Sequence, residues 1–337
     1  MMRPEFYPHP CERVDLRQTM TSWLLFAGPL VYKIKKPLRF GLADSTTPLK
    51  RFRLCQDEIL LNRPIAADVY YGVSAIVGTP GKYVLAKDHS ETSSDAQEFA
   101  VVMRRLPSGR FLDQMVRDEA ISLSDICSVA TNLVAFHSGA SIDKAQLWGS
   151  AQAISQLITS NLAEAGKLAA DSLTQASIAS ARSYALHFII THRQSLDNRA
   201  REGRVRDSHG NLRCQSVCLT DTGPVFLGRV KYRESMRYVD AALELASLAV
   251  DLDLRGRSDL AHELIEVYVT EAHDPQVLQL LRFYKCHRAV VQGKLEMLAS
   301  HHAHLAIAQR LSARGKARRL FALARSYAEG REASSIR

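Results

Sequence analysis

Two apolar, β-prone runs between Thr21 and Lys36 flank Ala27-Gly28-Pro29, and a Gly-containing turn between such runs predicts a β-hairpin. A helix is expected to begin near Pro48, a residue favoured in a first helical turn, and to run through Leu54, Ile59 and Leu61. Val69 to Val77, Tyr83 to Lys87 and Phe99 to Arg105 read as further strands, which makes a small, mostly antiparallel amino-terminal lobe with one helix. Leu106-Pro107-Ser108-Gly109 is the natural hinge. Beyond it the apolar period lengthens to that of helices: Ser122 with Asp125 resembles a capping box opening a helix to His137, and helices are expected over 150–166, 175–200, 237–253, 258–271, 276–299 and 302–328. Two short strands, Val217 to Thr220 and Val225 to Leu227, interrupt the helices, joined by the turn chemistry of Asp221-Thr222-Gly223-Pro224. There is no internal repeat, and Ser90 to Ser94 reads as a polar loop. The expected organisation is α+β in two lobes, 1–106 and 107–300, followed by a basic helix and tail over 301–337.

Composition agrees with a folded protein. A chain of 337 residues with 46% hydrophobic content can bury a full core. No charged segment followed by an apolar one opens the chain, and no apolar run approaches the roughly 18 residues that cross a bilayer, so a cytoplasmic protein without a membrane span is expected. Cysteines stand at 11, 55, 127, 214, 218 and 286, and without a secretion signal they are expected to be reduced. Cys214 and Cys218 would share one face of a strand, and His209 lies near them; buried thiols are expected there rather than a metal site, which would need a fourth ligand and a tighter spacing. The net charge of +9 is biased to the end of the chain, where eight Lys or Arg face two Glu from His301 onward. Leu305, Leu311, Leu320, Phe321 and Leu323 recur among those charges as on an amphipathic helix, so a solvated helix face is expected ahead of nucleic-acid or lipid binding.

The chemistry-bearing stretch is His209-Gly210-Asn211-Leu212-Arg213-Cys214-Gln215-Ser216, followed by Val225-Phe226-Leu227-Gly228-Arg229-Val230-Lys231-Tyr232. It resembles a kinase catalytic centre, in which a His-x-Asp-x-x-x-x-Asn loop supplies a catalytic Asp and a metal-binding Asn, and a following hairpin supplies a second metal-binding Asp. Those three places read Asn211, Ser216 and Gly228 here. Upstream, Val31-Tyr32-Lys33-Ile34-Lys35-Lys36-Pro37 with Phe40-Gly41, and Cys55-Gln56-Asp57-Glu58-Ile59-Leu60-Leu61-Asn62-Arg63, resemble two more blocks of the aminoglycoside phosphotransferase-like family. The likeness is to the kinase-like half of its bacterial bifunctional, ATP-binding members, and Arg237-Tyr238-Val239-Asp240 through Asp251-Leu252 and Leu281-Arg282-Phe283-Tyr284 through Lys294 resemble the remaining blocks.

The resemblance implies a protein-kinase-like fold with a β-rich amino-terminal lobe and a helical carboxy-terminal lobe. It implies that Lys33, with Lys35 as the other candidate, would reach a phosphate, that Glu58 would be its ion-pair partner, and that Met103 and Arg104 at the hinge would offer backbone groups to an adenine. Asn211 could orient a hydroxyl but is a far poorer base than Asp, and Ser216 is a weak metal ligand. Gly228 cannot hold a metal at all, while Arg229 and Lys231 bring cations beside it. Asp207, Asp221 and Asp240 are the candidate displaced acids, with Asp240, like Glu244, better read as loop-fixing; His209 is expected to be structural. The expected function is therefore a catalytically degenerate pseudokinase that binds a small ligand or a partner protein, nucleotide-free or with ATP binding that is weak where present, and no magnesium is expected. The rivals are a phosphotransferase of low or unusual activity on a small hydroxylated molecule, and a basic scaffold contacting nucleic acid. No acidic cluster between 149 and 202 would attract a polycationic aminoglycoside. The Gly-x-x-x-x-Gly-Lys-Ser/Thr signature of the family's ATPase half is absent, so any such ATPase would have to be a separate partner.

Overall fold

The computed structural model describes residues 1–40, 43–86, 96–169, 171–302 and 305–331. The expected loop at Ser90 to Ser94, Lys87 at the end of an expected strand, and Gly41 lie outside them. The chain forms two compact units, one of Met1–Ser108 with Val225–Arg233, the other of Gly109–Pro224 with Glu234–Arg337.

The first unit is built on β1 (Val14–Gln18), β2 (Ser22–Ala27), β3 (Leu30–Lys35), the short pair β4 (Arg39–Phe40) and β5 (Ala43–Asp44), α1 (Pro48–Asn62), β6 (Tyr70–Thr79), β7 (Lys82–Leu85) and β8 (Ala96–Arg104). Six of the strands make one antiparallel sheet in the order β1-β2-β3-β8-β6-β7. The β2–β3 hairpin closes with Ala27 opposite Leu30, and Gly28 at φ +55° takes the left-handed conformation that the turn requires. β1 went unexpected because it is an edge strand whose residues beyond Val14 are largely outside the core, so it carries no apolar alternation.

Alternation along the central strands sorts side chains by face. Tyr32 and Ile34 of β3, Ala100 and Val102 of β8 and Leu25 and Ala27 of β2 pack into a core with Tyr7 and Val14. Lys33 and Lys35, offset by one position, look the other way, toward α1. That helix starts at Pro48 with Thr47 Oγ1 accepting from Lys50 N (3.3 Å). It buries Arg51, Phe52, Cys55, Glu58 and Asn62, whose spacings of three and four place them on one face.

The second unit comprises α2 (Leu112–Arg117), α3 (Leu123–Gly139), α4 (Ala145–Gly149), α5 (Ala151–Leu168), α6 (Ser172–Thr191), α7 (Arg193–Arg201), β9 (Val205–Asp207), β10 (Val217–Thr220), β12 (Tyr238–Asp240), α8 (Ala241–Leu254), α9 (Ser258–Glu271), α10 (Val277–Ser300) and α11 (Ile307–Ala328); the chain passes from this unit to the first within β11 (Gly223–Phe226). The expected capping box is present, with Ser122 and Asp125 bonding reciprocally at the start of α3. Several boundaries differ from the sequence reading. The helix expected over 175–200 breaks at His192, where α6 ends and α7 turns away, and α7 buries Arg199 between Asp240 and Asp274. The helix expected from 237 begins at Ala241, because Tyr238–Asp240 pair as a strand with β9 and Asp240 caps the helix by accepting from Ala242 N (2.9 Å). β11 starts at Gly223, so the turn before it is shorter than expected. α11 starts at Ile307 rather than 302, and its buried face runs through Ala313, Ala317, Leu320, Ala324 and Tyr327; Leu311 stands exposed. Small residues on that face let α11 lie close against α10. Among the described residues no helix is long and apolar enough to cross a membrane.

Candidate functional site

In the first unit the chemistry gathers on Glu58. Its carboxylate is almost fully buried and meets Lys33 Nζ at 2.6 Å, Lys231 Nζ at 2.7 Å and Lys35 Nζ. Lys33 and Lys35 arrive together because two residues is one strand repeat. Lys231 arrives from the segment Val225–Arg233, which belongs to this unit although it is distant in sequence. Burial alone would raise the Glu58 pKa, but the charges of Lys231, Lys33 and Lys35 outweigh it and hold the carboxyl well below its usual range. Burial pushes the Lys33 and Lys35 ammoniums down, with Glu58 pulling the other way.

One turn along α1, Asn62 fixes the incoming segment. Its Oδ1 accepts from Gly228 N (2.9 Å) and from Arg229 N (2.9 Å), while its Nδ2 donates to Glu58 O (2.8 Å). Arg229 Nη1 also donates to Leu61 O (3.0 Å). Gly228 sits at φ +82°, and a Cβ added there would meet no atom within 4 Å. Gly228 offers no ligand, the buried carboxylate of Glu58 is engaged by ammoniums, and among the described residues no group of His, Cys, Asp and Glu could hold a metal.

In the second unit the loop 209–216 is fastened to α8, a helix buried on every side. Glu244, Ser247 and Asp251, spaced three and four apart, form a polar stripe along it. Glu244 accepts from His209 N (2.8 Å), Gly210 N (2.7 Å) and His137 Nε2 (3.1 Å); Ser247 Oγ donates to Leu212 O (2.8 Å); Asp251 accepts from Cys214 N (2.8 Å). Burial would raise the Glu244 pKa, and the His137 and His209 contacts bring it below the usual value instead. From α10, Arg288 Nη2 donates to Asn211 Oδ1 (2.7 Å), and burial pushes this guanidinium down to about 10. Arg288 is buried and makes no other hydrogen bond among the described residues.

No family model matches the chain. Two curated relatives, the uncharacterised proteins Rv2004c of Mycobacterium tuberculosis and Mb2027c of Mycobacterium bovis, are each 28% identical over 285 residues, covering 84% of this chain and 54% of their own. The chain thus spans about half the length of the curated relatives it matches. Among solved structures, a microcompartment-associated aminopropanol kinase superposes with a TM-score of 0.54 at 12% identity, over 99% of this chain and 97% of that one. A thermostable mutant of aminoglycoside phosphotransferase APH(4)-Ia superposes with a TM-score of 0.51 at 11% identity, over 92% and 95%. The fold is aminoglycoside phosphotransferase-like, within the protein-kinase-like class.

Set on this kinase-like fold, the residues singled out from the sequence divide between the units. Lys33, Lys35, Glu58 and Gly228 lie in the first, with Lys33, Lys35 and Glu58 in direct contact. Met103 and Arg104 also lie there, at the end of β8; Arg104 N donates to Val69 O (2.8 Å) and the Arg104 side chain pairs with Asp68. His209, Asn211 and Ser216 lie in the second. His209 is buried, with Asn211 N directed at its Nδ1 (3.4 Å). Ser216 closes a single 3-10 turn, its N–H donating to Arg213 O (2.8 Å). Cys214 starts that turn and Cys218 lies in β10, so the two do not share a strand face; both are fully buried. Asp240 does not fix the loop: it caps α8 and binds Arg199 through both oxygens (2.6 and 2.8 Å). Asp207 pairs with Arg237 (2.7 Å), and Asp221 is exposed at the turn before β11. Asn62, Arg288 and the bond from Lys231 to Glu58 were not foreseen. Only Asn62 left a signal, as a polar residue in register with the buried face of α1.

Proposed function

We propose that this protein is a catalytically degenerate member of the kinase-like fold that acts by binding a ligand or a partner protein. The observation that carries the reading is the bond from Arg288 Nη2 to Asn211 Oδ1. By the sequence resemblance, position 211 is where a catalytic carboxylate would take or orient a hydroxyl proton. An amide oxygen is a negligible base, and here it faces a guanidinium that would oppose the approach of a proton. Gly228 supports the same reading, because a residue without a side chain cannot hold the metal that neutralises a triphosphate. ATP, where it binds, is then expected to bind weakly and to serve as a ligand rather than a phosphate donor.

The Lys33–Glu58 pair favours a second reading, a slow phosphotransferase acting on a small hydroxylated molecule, since an ion pair of this kind positions nucleotide phosphates in active kinases. Turnover separates the two. With ATP, magnesium and a panel of amino alcohols and amino sugars, the unmodified protein is expected to release no ADP above the protein-free rate. The triple variant Asn211→Asp, Ser216→Asn, Gly228→Asp is the one expected to gain any. A rate near 1 s⁻¹, in the range of ordinary kinases, that disappears in Lys33→Ala would replace the degenerate reading with the second one.

A further inference from the structure

The first turns of α11, in the second unit, carry aliphatic side chains that the fold leaves uncovered. Ile307 and Leu311 are 74% and 63% exposed, and Leu173, two residues on from Asp171 at the start of α6, is 73% exposed. A single exposed leucine is ordinary, but aliphatic groups gathered around one concavity mark a contact surface. Ile307 and Leu311 line such a concavity, a groove of about 360 Å³ shared with Met297 of α10, Asp171, Arg310 and Arg314. Spacings of four, three and four put Ile307, Leu311, Arg314 and Arg318 in one stripe about 16 Å long, which is about three turns of a second helix laid alongside. The stripe is also cationic. Arg318 meets Asp171 at 3.8 Å, and Asp171 is already engaged in capping α6 by accepting from Thr174 N (2.9 Å). Arg310 Nε donates to Ser300 O (3.0 Å), which fixes the guanidinium and leaves its two amino groups over. Neither Arg310 nor Arg314 pairs with a carboxylate among the described residues.

We propose that this groove binds an acidic amphipathic helix of a partner protein, its aliphatic side chains set against Ile307, Leu311 and Met297 and its carboxylates on Arg310 and Arg314. A helix seated in a groove is held by apolar anchors at spacings of three and four, the repeat that the stripe itself presents. The fork of a guanidinium accepts a carboxylate through two parallel bonds, and an arginine already fixed at Nε loses less freedom in making them. A bilayer surface is flat and would leave the concavity unfilled. Nucleic acid fits less well again, because among the described residues no Phe, Tyr or Trp lines the groove for a base to stack on, and the Asp171 carboxylate stands at its edge.

A library of helical peptides displayed on phage, randomised along one face and selected on the full chain, tests this. The selected sequences are expected to carry Leu, Ile or Phe at helical spacing with Asp or Glu beside them, and a labelled peptide of that consensus to bind with micromolar affinity in fluorescence anisotropy. Leu311→Asp and Arg314→Glu change exposed positions, so each should leave the melting temperature in place while weakening the peptide about tenfold or more. The same peptide with Lys for its acidic residues should fail on the unmodified protein and recover on the double variant Arg310→Glu, Arg314→Glu. A selection without an acidic and apolar consensus, peptide binding indifferent to Leu311→Asp, or equal binding of the Lys peptide would each overturn the proposal. Binding of phosphatidylcholine–phosphatidylserine vesicles, of a DNA duplex or, by sedimentation equilibrium, of a second copy of this chain that Leu311→Asp abolishes would give the groove to that occupant and overturn it as well. The groove does not rest on the reading of position 211: phosphotransfer by the unmodified protein would overturn that reading and leave the groove standing, whereas failure of the peptides would remove the groove and leave that reading untouched.

Discussion

At the scale of single residues, Arg288 decides what position 211 can do. Replacing Asn211 with Asp puts a carboxylate 2.7 Å from a buried guanidinium, and such a pair holds the carboxylate ionised and directed at its partner. Asn211→Asp alone is therefore expected to raise thermal stability slightly and to restore no phosphotransfer, measured by ADP release beside a melting curve. Gly228→Asp meets open space, but φ +82° disfavours a side chain, so a loss of about 1–2 kcal/mol is expected in urea denaturation. His287 sets a pH dependence. Burial first, then the charges of Arg288 and Lys294, lower its pKa from 6.5 to about 3. Between those values the unfolded chain binds a proton that the folded protein refuses, so stability falls as pH drops through the window, by about 1.4 kcal/mol per unit at most for one group. Urea denaturation from pH 7 to pH 4 should show this slope, and His287→Leu should reduce it by close to one proton.

At the scale of elements, α8 is the part that fixes the loop. A helix buried on all sides ordinarily carries apolar residues throughout, and three of the four polar exceptions in α8, at 244, 247 and 251, are each matched to one backbone group or more of residues 209–214, while Asp253 pairs with Lys285. Glu244→Ala leaves two buried N–H groups without an acceptor, at about 1–3 kcal/mol each. Ser247→Ala removes one donor from the Leu212 carbonyl and should cost about 1 kcal/mol. The ordering of these two losses in urea denaturation checks the assignment; equal, small losses would contradict it. The stripe was partly legible, because Glu244 read as a loop-fixing residue from its position. Asp240 read the same way and does something else, since the strand Tyr238–Asp240 and the turn of α7 that delivers Arg199 depend on packing partners far away in sequence.

At the scale of the whole molecule, the basic end of the chain and the Val225–Arg233 segment show where local reading stops. The run from His301 onward reads as a charged, amphipathic helix, and α11 buries its apolar positions Leu320, Phe321 and Leu323, with Tyr327, within the second unit, while Leu311 stays exposed. Each buried side chain of that size contributes about 1.5–3 kcal/mol. Truncation after His301 is accordingly expected to abolish cooperative unfolding of the second unit, followed by calorimetry and near-ultraviolet circular dichroism; an unchanged transition would show α11 to be dispensable. The sequence by itself determined the kinase-like α+β class, the order and type of most elements, the pairing of Lys33 and Lys35 on one strand face, and the absence of side-chain carboxylates at 211, 216 and 228. These follow from residue type and from periodicity, which act within a few residues. Tertiary structure alone decided that Lys231 reaches Glu58 and that Arg288 holds Asn211, across 173 and 77 residues of chain. Electrostatic partners are set by distance in space, and no local pattern records which cation a fold will carry to a buried carboxylate or amide.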